Sequence, residues 1–345
     1  MRATAIYGPR DIRLDTVPDP VIKEPTDAVV RVVAACICGS DLWAYRGVAT
    51  RQPGQRIGHE FVGVVEETGA AVGTVKTGDF VITPFVWADG TCAYCADGLY
   101  TSCPEGGFWG EPGSDGGQGE AVRVPYADAT LVVVPGGEPD PAKIPALLAL
   151  SDVMATGHHA ALAAGARPGA TVAVVGDGAV GLCGVLAAHR LGAERIIALG
   201  RNPARTAIAT SFGATDIVGE RGEEAVTAVR ELTNGFGAHA VLECVGTQQS
   251  LDTAIAIARD GGGVGFVGVP HEVTTVDIGD MFGRNVALGG GVAPARKYAD
   301  ELLRDVLGGT LDPSPVFDVT MPLSGVAAGY AAMDDRSALK VLLRP

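Results

Sequence analysis

Two short stretches in the first third of the chain bring together residue types that hold metals: "CICGSD", residues 36–41, and "GHE", residues 58–60. Cys38 and His59 offer one sulfur and one imidazole nitrogen, and Glu60 adds a carboxylate beside the histidine. A catalytic zinc takes three protein ligands and keeps one position open, so a third ligand must come from farther along the chain. For this pair alone, a buried cysteine and a hydrogen-bonded core histidine are the bland alternative. A third stretch, "WADGTCAYCADGLYTSC", residues 87–103, sets Cys92 and Cys95 in a CxxC with Cys103 beyond. A structural zinc wants a closed tetrahedron. Three cysteines leave three readings open: a broken site, a redox pair, or a zinc site whose fourth ligand is not a cysteine.

A second chemistry lies near mid-chain. "TVAVVGDGAVGL" places Gly176, Gly178 and Gly181 in a GxGxxG that follows a strand-like run and opens a helix-like one. Such a turn lets backbone approach a pyrophosphate, and the helix N-terminus supplies N–H donors and a positive dipole end. Three glycines in an ordinary tight turn are the alternative, which the strand-turn-helix context disfavours. The next strand-like run ends "IIALGRNPAR". An acid is expected there to hold the ribose of NAD, but the chain has Gly200 followed by Arg201. Glycine removes the repulsion that a carboxylate would exert on a 2′-phosphate of about −1.5 to −2 charges, and arginine can grip that phosphate bidentately. This predicts NADP(H), with Arg205 one turn later either assisting or simply solvated.

These residues need elements to hold them. Up to about residue 150 the chain reads as short β-type runs, "RATAIY", "AVVRVVAAC", "FVGVVEETG", "DFVITPF" and "TLVVVP", separated by Gly and Pro. From Thr171 strands and helices alternate through "GVGFVGV", the pattern of a doubly wound α/β sheet. After about residue 292 the alternation stops, so the tail is expected to return and complete the first domain. The boundaries expected are 1–153 with 293–345 for the β-rich domain and 154–292 for the inserted one.

Composition narrows the function. The 345 residues exceed one ordinary core, and 47% hydrophobic against 19% charged residues marks a packed chain. A net charge of −14 argues against nucleic acid or an anionic membrane as partner. No apolar run is long enough to span a bilayer, and the first residues lack a signal-peptide core. Seven cysteines are then expected to be thiols or metal ligands in a reducing compartment, which predicts a cytoplasmic protein.

The motifs "CICGSD", "GHE", the cysteine lobe, "SDVMATGHHA" and "VVGDGAVGL", in this order, resemble the zinc-dependent medium-chain alcohol dehydrogenase family along essentially the whole chain. The resemblance implies a GroES-like β-rich catalytic domain with an inserted Rossmann domain. It implies Cys38 and His59 as catalytic zinc ligands and Asp152 as the third, where many members carry cysteine. Glu60 matches a carboxylate that can enter the coordination shell, and Asp41 the acid that orients the histidine. Ser40 matches the hydroxyl that takes the alcohol proton, while zinc acts as a Lewis acid and hydride passes to the nicotinamide. Trp43 stands where many members continue the proton relay with histidine, and either narrows the substrate pocket or packs.

The family's structural zinc lobe has ligands at offsets 0, 3, 6 and 14, which fall on Asp89, Cys92, Cys95 and Cys103. Asp97 and Glu105 compete for the fourth place, and an empty lobe is the alternative. Gly98 is then a turn residue. Lys340 matches a basic position that reaches the cofactor in relatives, and Val267, in "FVGVP", the segment that cradles the nicotinamide amide. Phe85, Trp87, Phe108 and Trp109 are candidates to line a substrate cleft. Cys36, Cys183 and Cys244 are expected in the core, and His158 and His159 in packing or at the surface.

The expected activity is hydride transfer between NADP(H) and a small alcohol, ketone or aldehyde. A polyol or sugar dehydrogenase is the second reading within the family. A non-catalytic cofactor-binding protein is the alternative from another class, and the full set of Cys38, His59, Asp152 and Ser40 argues against it. Nothing marks a pocket for an amino acid or glutathione. Relatives imply a homo-oligomer, a tetramer or a dimer.

Overall fold

A computed structural model describes residues 1–271 and 273–345. It divides into two compact units, Met1–Asp152 with Pro294–Pro345, and Val153–Ala293. The chain thus leaves the first unit after Asp152 and rejoins it at Pro294.

The first unit is built on a seven-stranded sheet in which strand Ala28–Cys36 is central. Its "AVVRVVAAC" is rich in valine, which suits a pleated and mostly buried surface. It pairs antiparallel with Phe61–Thr68, with Ala121–Val124 and with the C-terminal strand Val341–Arg344. The tail therefore returns to close this sheet. Register then decides which loops meet. Ala35 opposes Phe61, Phe61 opposes Thr83, and Leu342 opposes Cys36. The residues after Cys36, before Phe61, after Thr83 and before Leu342 consequently emerge at one end of the sheet.

The second unit holds a six-stranded sheet in the order Asp216–Val218, Arg195–Leu199, Thr171–Val175, Ala238–Glu243, Ala258–Phe266 and Ala287–Gly290. All of its pairings are parallel. Taken in chain order this is 3-2-1-4-5-6, the arrangement of dinucleotide-binding sheets, whose ligands lie beyond the carboxyl ends of the strands. The central strands read "TVAVV" and "AHAVLE" because parallel strands are covered on both faces and need no polar alternation. Among the described residues no helix is long and apolar enough to cross a membrane.

Candidate functional site

The sheet end in the first unit gathers the first cluster. Cys38 follows the central strand, while His59 and Glu60 precede the strand beginning at Phe61. Asp152 arrives after helix Ile144–Ala149, where Ser151 O accepts from Phe85 N at 3.0 Å. Gly58 has φ +93°, and a Cβ there would lie 2.4 Å from Gln118 Cγ, so the turn before the histidine requires glycine.

One ligand atom from each of Cys38, His59, Glu60 and Asp152 lies within 4.8 Å of the others. His59 Nε2 is 3.5 Å from Asp152 Oδ2, and Cys38 Sγ is 3.7 Å from the same oxygen. The other ring nitrogen, Nδ1, faces Asp41 Oδ1 at 3.3 Å. Asp41 Oδ2 in turn accepts from Cys38 N at 3.0 Å and from Gln118 Nε2 at 3.3 Å, and the buried Tyr330 hydroxyl donates to Gln118 Oε1 at 3.1 Å. This chain fixes the ring orientation, the usual support for a ligating histidine. Burial works against charging His59, yet Asp41 and Cys38 outweigh it and raise the imidazole well above its ordinary value. Burial, with Glu60 next, pushes the Cys38 thiol up.

Glu60 is fully buried. Lys340 Nζ reaches its Oε1 at 2.7 Å, whereas its Oε2 has no hydrogen-bond partner. An unsatisfied carboxylate oxygen costs free energy in a dry interior. Together with a thiol, an imidazole and a second carboxylate, it is the donor set a zinc ion would satisfy.

Lys340, the basic residue expected near the cofactor, is 1% exposed, with its ammonium engaged by Glu60 and by Ile37 O at 3.3 Å. The strand pairing Leu342↔Cys36 turns it inward, and it anchors Glu60.

Ser40 caps helix Asp41–Tyr45 without a side-chain capping bond, which leaves its hydroxyl available. Trp43 is partly buried under the Arg46 guanidinium, 5.9 Å from the ring centroid. Phe85 is buried with its ring 6.4 Å from that of His59, edge-on, and Phe108 stands 6.1 Å farther out and is exposed. Trp109 is a core residue rather than a cleft residue. It is 3% exposed, donates to Pro84 O at 2.8 Å, and packs edge-on against Phe61 and tilted against Trp87. Cys36 and Cys183 are fully buried, Cys244 only partly so. His158 is buried in helix Val153–Ala163, and His159 partly exposed beside it.

The cysteine lobe forms a second cluster. Ligand atoms of Asp89, Cys92, Cys95 and Cys103 also lie within 4.8 Å of one another, a group that includes neither Asp97 nor Glu105. Asp89 Oδ1 is 3.2 Å from both Cys95 Sγ and Cys103 Sγ. Asp89 N donates to Cys103 Sγ at 3.3 Å and Cys95 N to Cys92 Sγ at 3.4 Å, the N–H···S contacts that suit thiolates. Partial burial opposes ionisation of Asp89, but hydrogen bonds from Thr91, Cys103 and Cys92 N hold its carboxyl well below the usual range. Gly98 sits at φ +77° in the turn between the cysteines.

In the second unit, Gly176 has φ +117° and a Cβ on Gly181 would lie 2.0 Å from Gly176 O, so turn and packing both demand glycine. A Cβ on Gly178 would meet nothing within 4 Å. Backbone there faces open space at the uncapped start of helix Ala179–Arg190, a surface that fits a pyrophosphate. Val267 N bonds to Glu243 O at 2.9 Å at the end of the fifth strand of that sheet.

Gly200 departs from expectation. It does not leave room, because Asp177 leans across it. A Cβ on Gly200 would be 2.6 Å from Asp177 Cβ and 3.1 Å from its Oδ2. Asp177 Oδ2 is 3.4 Å from Arg201 N and 3.5 Å from Asn202 N, and Oδ1 is 3.6 Å from Arg205 Nη1. Sequence reasoning missed Asp177; an acid inside the glycine-rich turn was the available signal.

Comparison with known proteins agrees with this architecture. The sequence profile of the alcohol dehydrogenase GroES-like domain matches residues 24–136, and that of zinc-binding dehydrogenases matches residues 179–306. A protein of Mycobacterium tuberculosis named "Probable zinc-binding alcohol dehydrogenase" is 36% identical over 350 residues, covering 100% of this chain and 89% of its own. Zinc-type alcohol dehydrogenase B of Aspergillus flavus is 32% identical over 100% of this chain and 81% of its own. Among solved structures, alcohol dehydrogenase TADH from Thermus sp. ATN1 superposes with a TM-score of 0.93 at 35% identity, over 100% of this chain and 99% of that one. The chain belongs to the zinc-dependent medium-chain alcohol dehydrogenase family, with a GroES-like domain and an inserted Rossmann domain.

Proposed function

We propose that this protein is a zinc-dependent alcohol dehydrogenase or carbonyl reductase that exchanges hydride between NADP(H) and a small alcohol, ketone or aldehyde. The observation that carries the reading is the buried quartet of Cys38, His59, Glu60 and Asp152, within 4.8 Å and with Glu60 Oε2 unpartnered. Cys38, His59 and Asp152 would hold the catalytic zinc, which when bound supplies Lewis-acid polarisation of the substrate oxygen.

The remaining work falls to side chains. Asp41 holds His59 in one tautomer, with Nε2 free to ligate. Ser40, its hydroxyl uncommitted to the helix cap, accepts the alcohol proton or returns it in the reverse direction. Trp43 cannot pass that proton on, so its onward route is water or the cofactor ribose. Phe85 and Phe108 present an apolar path beside His59, which favours substrates with hydrocarbon rather than polyhydroxyl bodies. Asp89, Cys92, Cys95 and Cys103 would hold a second, structural zinc. Gly176, Gly178 and Gly181 would receive the dinucleotide, and the guanidiniums of Arg201 and Arg205 favour NADP(H) over NAD(H).

The test is NADPH consumption by the purified protein with panels of aldehydes, ketones and sugars, with and without a zinc chelator. Chelator-sensitive turnover of an aldehyde or ketone supports the reading. Turnover of sugars alone would move it to the polyol branch, and no turnover of zinc-loaded protein with any substrate would overturn it.

A further inference from the structure

Resting on the reading that a nicotinamide dinucleotide binds along Gly176–Gly181, we infer that Asp177 is the residue that sets the choice between NAD(H) and NADP(H). Position 200 does not decide it. In dinucleotide-binding sheets the tip of the second strand reads the adenosine ribose at its 2′ position. Here that tip carries no acid of its own. The carboxylate comes instead from the glycine-rich turn, crosses the face of Gly200, and stops 3.4 Å and 3.5 Å from the backbone N–H groups of Arg201 and Asn202. Arg205 lies 3.6 Å from its other oxygen.

These are the donors that a 2′-phosphate would use: two backbone amides at the start of helix Pro203–Ser211 and a guanidinium one turn along. Asp177 therefore acts as a built-in anion on the phosphate subsite. A ribose with a free 2′-hydroxyl can donate to the carboxylate and leave it in place. A 2′-phosphate must displace it or bear its repulsion while gaining Arg201 and Arg205. The contacts of 3.4 to 3.6 Å are longer than firm hydrogen bonds, and 27% of the Asp177 side chain is exposed, so displacement is feasible. A carboxylate in that place lowers the advantage that Arg201 and Arg205 would give the phosphorylated coenzyme.

The experiment is calorimetric titration of the purified full chain with 5′-AMP and with 2′,5′-ADP, which differ only in the 2′-phosphate, together with NAD and NADP. Asp177→Asn keeps the shape and removes the charge; Asp177→Ser serves if the first variant fails to fold, with thermal melting as the check. The ratio of affinities for 2′,5′-ADP over 5′-AMP is expected to rise about tenfold or more, and Arg205→Leu added to the variant is expected to abolish the gain. An unchanged ratio, with both ligands still binding, overturns the role of Asp177. Native protein that binds neither nucleotide overturns the dinucleotide reading itself, and this assignment with it.

Discussion

Lys340 Nζ lies 2.7 Å from Glu60 Oε1, with both side chains buried, while the second oxygen of the same carboxylate has no partner. One half of Glu60 is anchored, and the other half meets no protein donor. Burial disfavours a charged lysine here, yet the neighbouring Cys36 and Glu60 hold Lys340 protonated, well above its ordinary value.

Removing the anchor strands a charge in the interior. Lys340→Met is expected to destabilise the protein by about 3–5 kcal/mol, the cost of leaving one member of a buried pair uncompensated. Lys340→Met combined with Glu60→Gln should recover most of it. Urea denaturation measures both, and an unmoved midpoint in the single variant would refute the pairing.

Metal content separates the two clusters. Two zinc ions per chain are expected in the native protein. Cys38→Ser and Asp152→Ala should each remove one, whereas Asp152→Cys should keep it, because thiolate and carboxylate are both acceptable anionic donors. Elemental analysis after dialysis decides, and a count of two in Cys38→Ser would speak against the catalytic assignment.

The lobe is tested through its thiols. Cys92, Cys95 and Cys103 should resist alkylation until a chelator is added, since a coordinated thiolate is not free to react. Asp89→Ala should expose all three and lower the melting temperature, and Asp89→Cys should preserve protection. Rapid labelling of Cys92 in untreated native protein would exclude a filled lobe.

Gly200→Asp is not a clean switch to NAD(H). A Cβ at that position would stand 2.6 Å from Asp177 Cβ, so the substitution overpacks the tip of the strand. Such crowding costs about 1–3 kcal/mol of stability, and both coenzymes should bind more weakly because the strand tip is displaced. Asp177→Gly with Gly200→Asp should restore NAD. Fluorescence titration of the reduced coenzymes reads both outcomes, and a single Gly200→Asp variant that binds NAD more tightly would show that Asp177 yields readily.

Much of the site was legible in the chain itself. The family resemblance implied a four-ligand lobe of Asp89, Cys92, Cys95 and Cys103, and the structure brings those donors together. The glycine pattern from Gly176 to Gly181 announced a strand-turn-helix, because no other residue tolerates φ +117° or a backbone oxygen 2.0 Å from its Cβ. For Lys340, Trp109 and Gly200 the sequence hid the neighbour each one meets: Glu60 for Lys340, Phe61 and Trp87 for Trp109, Asp177 for Gly200.

Local chemistry determined what the residues by themselves could announce. Thiols, an imidazole and carboxylates at metal spacing, a glycine turn and alternating β and α texture are properties of short windows, and short windows are what a sequence displays. Only the folded chain decided which donors of the first unit lie together and which carboxylate keeps an unsatisfied oxygen. Those facts depend on strand register: with Ala35 opposite Phe61 and Leu342 opposite Cys36, distant loops emerge at one sheet end. A shift of one residue would turn every one of those side chains to the other face.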